Sequence, residues 1–168
     1  MKRSATRGGF SLIELMVTIA VIGFMMVLAL PSLGNSVRTS RERAAVQQFV
    51  QDFTWARGAA GSSDASLLLS GATGAPTLSM QLKADCSWTT FVNGTKEPVH
   101  SATPSGITCT SAAVGTTIPA LTYPITFTFT SQGYVSTSGN VTATGASGQV
   151  FQFNIFSSGS IIQGNSAS

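Results

Sequence analysis

One apolar stretch near the N-terminus constrains this chain more than any other feature. The segment Phe10–Leu30 runs for about 21 residues with a single charged side chain, the carboxylate of Glu14. A helix of that length can span the hydrocarbon core of a bilayer. The basic residues before it, Lys2, Arg3 and Arg7, are typical of a flank that stays in the cytoplasm. We therefore expect the rest of the chain to lie outside the cytoplasm.

The carboxylate of Glu14 separates the interpretations of this stretch. A secretory signal peptide fits poorly, because the apolar run is too long and the segment 31–34 is not a small-residue cleavage site. A plain membrane anchor explains the length but leaves Glu14 without a partner. An unpaired ionisable side chain costs about 2.5–3.5 kcal/mol of free energy at the membrane centre and less near an interface. A cut between Gly9 and Phe10 would supply the partner, because the new α-amino group of one copy could pair with Glu14 of a neighbour. The residues alone leave the anchor and the paired assembly both open.

The segment Gly9-Phe10-Ser11-Leu12-Ile13-Glu14 resembles the G-F-[ST]-L-[IV]-E motif of type IV prepilins and type II secretion pseudopilins. The resemblance implies cleavage between Gly9 and Phe10 by prepilin peptidase and N-methylation of Phe10. It also implies that the apolar helix packs in a filament core, where Glu14 meets the N-terminus of an adjacent subunit. Gly23 and Pro31 match helix-breaking positions of many pilins, and both residue types weaken a helix. We expect a locally unwound stretch between these two residues.

Four segments follow from this pattern. Residues 1–9 are a leader that is cleaved, and residues 10–31 are the transmembrane and filament-core helix. Residues 32–61 are its amphipathic half, and residues 62–168 form a β-rich globular domain. An apolar stripe at helical spacing marks one face of the amphipathic half: Val46, Phe49, Val50, Phe53, Ala56 and Ala60. The polar residues Arg41, Glu42, Gln48, Gln51 and Asp52 fall mostly off this stripe.

Beyond residue 65 the hydrophobic period changes to two, which predicts half-buried antiparallel strands. The apolar positions of three strands are Leu78, Met80 and Leu82, then Ile125, Phe127 and Phe129, then Phe151, Phe153 and Ile155. Weaker strand patterns cover 66–70 and 89–92, and turn residues occur at 71–74, 93–94 and 145–148.

The remaining segments have no such pattern. We expect residues 93–120 to form a long irregular connection and residues 164–168 to be a mobile tail. The predicted fold class is α+β and pilin-like, with a long N-terminal helix packed on an antiparallel sheet. The family resemblance implies the same architecture.

Composition favours an extracytoplasmic domain. Only 9% of residues are charged and 43% are hydrophobic, which suits a β-rich exported domain better than a cytosolic enzyme. Three of the nine basic residues lie in the leader, so the cleaved chain has six basic and six acidic side chains and no formal net charge. A chain without clustered Lys and Arg has little electrostatic grip on nucleic acid, so we do not expect DNA as a partner.

The two cysteines, Cys86 and Cys109, are expected to form a disulfide outside the cytoplasm. Closing that loop contributes about 3 kcal/mol in the chain-entropy model. The alternative is a pair of unpaired buried thiols.

Within the superfamily, the later half resembles the GspH/FimT/FimU branch. The motifs that carry this resemblance are Trp55-Ala56-Arg57, Cys86-Ser87-Trp88, the segment 129–133 and the closing segment 159–164. The branch often closes with a Gly-Arg-x-Arg-like segment whose arginines hold DNA in some members. Ser160 and Ile162 stand at those places here, which argues against DNA binding by this segment.

The sequence gives little support for catalysis. Its one histidine, His100, is expected in a proline-bounded loop, and a zinc site needs three or four converging ligands. The short motifs of metalloproteases, nucleotide-binding loops and serine hydrolases do not occur. We expect no enzymatic activity, no catalytic residue, no metal and no cofactor.

The function that the resemblance implies is that of a filament subunit. We expect a minor pilin of a type IV pilus that helps to initiate assembly at the tip, with a GspH-like minor pseudopilin of type II secretion as the alternative. A tip module for DNA or adhesion and a membrane-anchored periplasmic protein that never polymerises are further alternatives. The expected partners are other pilin subunits, prepilin peptidase and the inner-membrane assembly platform. The protein should span the inner membrane once before assembly, with a periplasmic domain, and then reach an extracellular pilus or a periplasmic pseudopilus.

Overall fold

A computed structural model describes residues 10–62, 77–114 and 118–165 of this chain, with the backbone alone at 28–33 and 165. The chain divides into two compact units, Met1–Val37 and Arg38–Ser168. The leader 1–9, the strand pattern at 66–70, the turn at 71–74 and the last residues of the expected tail lie outside the described residues.

One helix, α1 (Leu12–Gly61), contains both the apolar segment, from its third residue onward, and the amphipathic segment that follows it. Its assignment as helix runs through Gly23 and Pro31, so the unwound stretch expected between them is not present in this structure. An interior proline removes one backbone hydrogen bond and crowds the carbonyl four residues earlier, and here the bonds of the neighbouring turns hold the helix on either side. No helix in the described part of the chain is long and apolar enough to meet the requirement for a membrane span. The membrane span expected at residues 10–31 stays a prediction.

Eight antiparallel strands among the described residues of the second unit form two four-stranded sheets. They are β1 (Leu78–Leu82), β2 (Trp88–Val92), β3 (Thr95–Ala102), β4 (Ile107–Thr110), β5 (Ile125–Phe129), β6 (Gly139–Gly145), β7 (Val150–Ile155) and β8 (Ile161–Asn165). The first sheet has the order β3-β2-β1-β5 and the second the order β4-β6-β7-β8. The fold class is therefore α+β, as the sequence predicts.

The three strands with strict alternation are confirmed as β1, β5 and β7, and the weaker pattern at 89–92 lies in β2. Their alternate apolar side chains are buried because successive residues of a strand point to opposite faces of the sheet. Asn93 and Gly94 both have positive φ, 51° and 79°, and connect β2 to β3 in a tight hairpin. Gly148, with φ of 84°, ends the turn between β6 and β7.

The expectation for residues 93–120 is wrong, because β3 and β4 lie within that range. β3 is an edge strand that carries Pro98 and charged side chains, and it joins the sheet through its pairing with β2 rather than through apolar alternation. The expected tail is also partly wrong, since β8 extends to Asn165 and pairs with β7.

The core lies between α1 and both sheets. Phe49 makes edge contacts with Trp88 of the first sheet and Phe153 of the second, at ring-centroid distances of 5.5 and 5.8 Å. Phe53 contacts Phe127 and Phe129 of β5 at 5.5 and 5.1 Å. The predicted stripe is thus confirmed as the face of α1 that packs on the sheets.

Candidate functional site

The first turns of α1 hold the residues that the sequence singles out for assembly. Ser11 precedes the helix, and its hydroxyl accepts a hydrogen bond from the backbone N–H of Glu14 at 3.4 Å. Ser11 and Glu14 have the spacing of a capping box, and a carboxylate in the first turn is stabilised by the helix dipole. Gly9 lies outside the described residues, while Phe10 is 82% exposed and Glu14 is exposed.

Apolar side chains surround this part of α1 on every side. Every residue from Phe10 to Val27 is exposed, and most of these residues are large and apolar. The hydroxyl of Thr18 donates to the carbonyl of Leu15 at 2.8 Å, which satisfies one of the few polar groups within the segment itself. A helix that is apolar all round is normally buried against other elements or lipid. The apolar side chains of this segment therefore need contact with lipid or with other helices, and the segment has one carboxylate near its start.

Two buried carboxylates attach the later part of α1 to the sheets. Both were predicted to lie off the apolar stripe. The first is Glu42, only 3% exposed, whose carboxylate accepts hydrogen bonds from the backbone N–H of Ser147 at 2.9 Å and from the Ser147 hydroxyl. Gly145 lies under this carboxylate, and a Cβ at that position would overlap it. Glu42 is four residues before Val46, so a longer stripe would have included it.

The second buried carboxylate, Asp52, joins α1 to β2 and β3. It accepts a hydrogen bond from the indole N–H of Trp88 at 2.9 Å, and its other oxygen lies 2.9 Å from Nδ1 of His100. The ring of Trp55 stacks on His100 with centroids 3.6 Å apart. His100 thus lies in β3 and not in a loop, and it attaches an edge strand to the helix.

Three of the motifs that resemble the GspH/FimT/FimU branch meet at one place. The guanidinium of Arg57 donates to the carbonyl oxygen of Gly133 at 3.2 Å. Gly159 packs against both, with φ of 74°, so that a Cβ there would overlap the carbonyl of Gly133. The motifs around residues 57, 133 and 159 therefore have a shared structural role: they close the C-terminal end of α1 against two turns.

The two cysteines are bonded, Cys86 to Cys109, with Cα atoms 5.0 Å apart. The bond links the connection between β1 and β2 to β4 of the other sheet, beside a backbone hydrogen bond from Cys109 to Ala84. Next to it, the Ser87 hydroxyl and backbone N–H both donate to Asp85, and these bonds lower the pKa of that carboxyl below its ordinary value of 3.8. Both sheets are thus held together where β4 lies beside the connection between β1 and β2.

Among residues 10–62, 77–114 and 118–165, no group of three or more His, Cys, Asp or Glu side chains could hold a metal ion. Asp52 and His100 form a pair, but the polar groups that reach Asp52 serve to join α1 to the first sheet.

Comparison with known families gives one match. Residues 5–30 match the model of the prokaryotic N-terminal methylation motif. No curated protein and no solved structure shows significant similarity to the chain. The motif supports a type IV pilin-like or pseudopilin-like protein that is processed by prepilin peptidase and assembles with other pilin subunits at a membrane. Proteins with this motif are structural subunits rather than enzymes.

Proposed function

We propose that this chain is a minor subunit of a type IV pilus. It is made as a prepilin and cut between Gly9 and Phe10, and Phe10 is then N-methylated. The helix from Phe10 onward spans the inner membrane once and leaves it for the filament core. The domain that follows lies in the periplasm and then on an extracellular pilus, or on a periplasmic pseudopilus.

The observation that carries this proposal is the exposed apolar segment with its one carboxylate. Its apolar side chains need cover on all sides, which a bundle of identical or related helices supplies. In such a bundle Glu14 needs a positively charged partner, because an unpaired carboxylate in apolar surroundings is strongly disfavoured. A free α-amino group on Phe10 of the next subunit is that partner, and the pairing sets the axial register of each copy.

We propose a minor rather than a major subunit because the later motifs resemble the GspH/FimT/FimU branch. The contact of Arg57 with Gly133 and Gly159 supports this placement, because it gives three of the branch-like motifs a common structural role. Members of that branch act at the tip and help to initiate assembly through the inner-membrane platform. A minor pseudopilin of type II secretion has the same features, and the neighbouring genes distinguish the two: other minor pilin genes or a secretion operon.

A tip module that binds DNA is disfavoured by charge. The cleaved chain has no formal net charge, and the exposed Ile162 and the neutral Ser160 stand where the branch has arginines. A gel shift with salt-sensitive micromolar binding by the cleaved chain would overturn this preference.

The test of the pairing is Glu14→Ala. The variant should insert into the membrane normally and lose incorporation into filaments, measured by sheared-filament immunoblots beside membrane fractions. Glu97→Ala, which removes a carboxylate from β3, is the control and should incorporate normally. Filaments that contain Glu14→Ala at the normal level would show that the amine–carboxylate pair does not exist.

A further inference from the structure

A groove between α1 and the second sheet has the chemistry of a ligand site. Its volume is about 250 Å³, and it is open to solvent. Its lining residues are Arg43, Val46, Gln47, Gln149, Val150, Phe151, Gln163 and Gly164. All of them belong to the unit Arg38–Ser168, so the groove lies within one compact body.

Four polar side chains from three parts of the chain converge on this groove. Arg43 and Gln47 are four residues apart on α1 and therefore neighbours on one face, Gln149 comes just before β7, and Gln163 lies on β8. Among the residues that the structure describes, no hydrogen bond or ion pair engages the guanidinium of Arg43 or the carboxamides of the three glutamines. Their hydrogen-bonding groups are available to a ligand.

The position of Gln163 is informative. It is directly paired with Phe153, so its side chain lies on the same face of the sheet as that buried ring. Two residues earlier on this face, Ile161 packs against the core. An apolar residue at position 163 would extend the core under α1, whereas the glutamine keeps the groove polar and open.

From this arrangement we infer that the groove binds a carboxylate-bearing saccharide, such as a uronic acid unit of a polysaccharide. The guanidinium of Arg43 can hold a carboxylate through two parallel hydrogen bonds. Each carboxamide both donates and accepts, which matches the hydroxyl groups of a sugar. The side chains of Val46 and Phe151 supply an apolar floor for the C–H face of the ring. None of the described lining residues is acidic, so none of them repels an anionic ligand.

The size and shape of the groove favour a sugar over an acidic peptide. The volume is below the roughly 300–1,000 Å³ typical of sites for drug-sized ligands, and it suits one or two rings of a longer saccharide whose other rings stay in solvent. Extended peptides bind mainly through main-chain hydrogen bonds along a sheet edge. Here the groups that converge on the groove are one guanidinium and three side-chain carboxamides on separate elements. This inference goes beyond the proposed function and does not require that the protein forms filaments.

The test is binding of trigalacturonate to the full cleaved chain in detergent micelles, measured by calorimetry. We expect saturable binding, weaker by about tenfold or more for Arg43→Gln, because a charged hydrogen-bond pair is lost. The neutral methyl ester of the same trisaccharide should bind the wild type about as weakly as trigalacturonate binds Arg43→Gln. Gln163→Ala should weaken binding several-fold, and Arg41→Gln, an exposed arginine outside the groove, should leave it unchanged.

Three results would overturn the inference. The first is the absence of binding at millimolar trigalacturonate while the variants and the wild type unfold at the same temperature. The second is equal binding of inorganic phosphate, which would indicate a general anion effect of Arg43. The third is tighter binding of a short Asp- and Glu-rich peptide, which would assign the groove to a protein partner. Because these measurements use the dispersed chain, they are independent of the Glu14→Ala result.

Discussion

The early and the late parts of α1 differ in where their apolar side chains find cover. From Phe10 to Val27 the side chains are exposed all round the helix. From Val46 to Ala60 they form one stripe, buried against the two sheets of the same chain. The first pattern suits cover on every side of the helix, and the second suits cover on one side only. A single helix thus has apolar side chains that the described part of the chain leaves uncovered at one end, and a buried core face at the other.

The charged residues of the two parts differ in the same way. Glu14 is exposed, and its carboxylate has no side-chain partner among the described residues, while Asp52 is buried and uses both oxygens. Within a chain, a buried carboxylate must find its hydrogen-bond donors among its own residues. We therefore attribute the missing partner of Glu14 to another copy, in line with the proposed function.

The largest effect expected on stability comes from truncating the core of the late part. Phe53→Ala removes a fully buried ring and should lower the free energy of unfolding by about 3–5 kcal/mol. Leu15→Ala, in the exposed part, should leave unfolding unchanged and reduce incorporation into filaments. Thermal unfolding and filament immunoblots of both variants check this contrast. Equal loss of stability in the two variants would mean that the early part also packs on its own chain.

A smaller effect is expected at the buried carboxylate of the late part. Asp52→Ala leaves the buried indole N–H of Trp88 without an acceptor, which should destabilise the protein by about 1–3 kcal/mol. The neighbouring Gln51 is exposed, so Gln51→Ala should change stability by less than about 0.5 kcal/mol. Chemical denaturation of the two variants measures the difference. If Asp52→Ala were as stable as Gln51→Ala, the polar link between α1 and the first sheet would be structurally unimportant.

The smallest effect concerns Asp85, near the disulfide. Hydrogen bonds from Ser87 lower the pKa of its carboxyl, so the folded state favours the ionised form. The resulting stabilisation is present above the ordinary value of 3.8 and is lost as the pH falls through that value and the lower folded-state pKa. Asp85→Asn should therefore be slightly less stable than the wild type at pH 7, and the difference should shrink in acid. Unfolding curves across this pH range check the sign, and a difference that grows in acid would contradict it.

The sequence predicts the parts of this fold that depend on apolar periodicity. The stripe from Val46 to Ala60 and the alternation in β1, β5 and β7 indicate the core directly, because each period matches one burial geometry. The strands β3 and β4 were not predicted from periodicity. β3 contains Pro98 and has no buried residue, and only its pairing with β2 makes it a strand.

The polar contacts of the late part of α1 could not be predicted from the sequence. Glu42 meets Ser147, which lies 105 residues away, and Asp52 meets Trp88 and His100 at separations of 36 and 48 residues. No local pattern encodes such pairs, because they depend on how the sheets are arranged. The candidate assembly segment is the reverse case: its motif is local, and the structure adds the position of Glu14 in the first turn of a helix.

The most direct test of the account is the mass and sequence of the N-terminus in protein purified from its native host. The account predicts a chain that begins with N-methylated Phe10, which gives Glu14 of the next copy a cationic partner. A chain that still begins at Met1 would contradict it, because the exposed apolar helix would then have no free amine at the position where the carboxylate needs one.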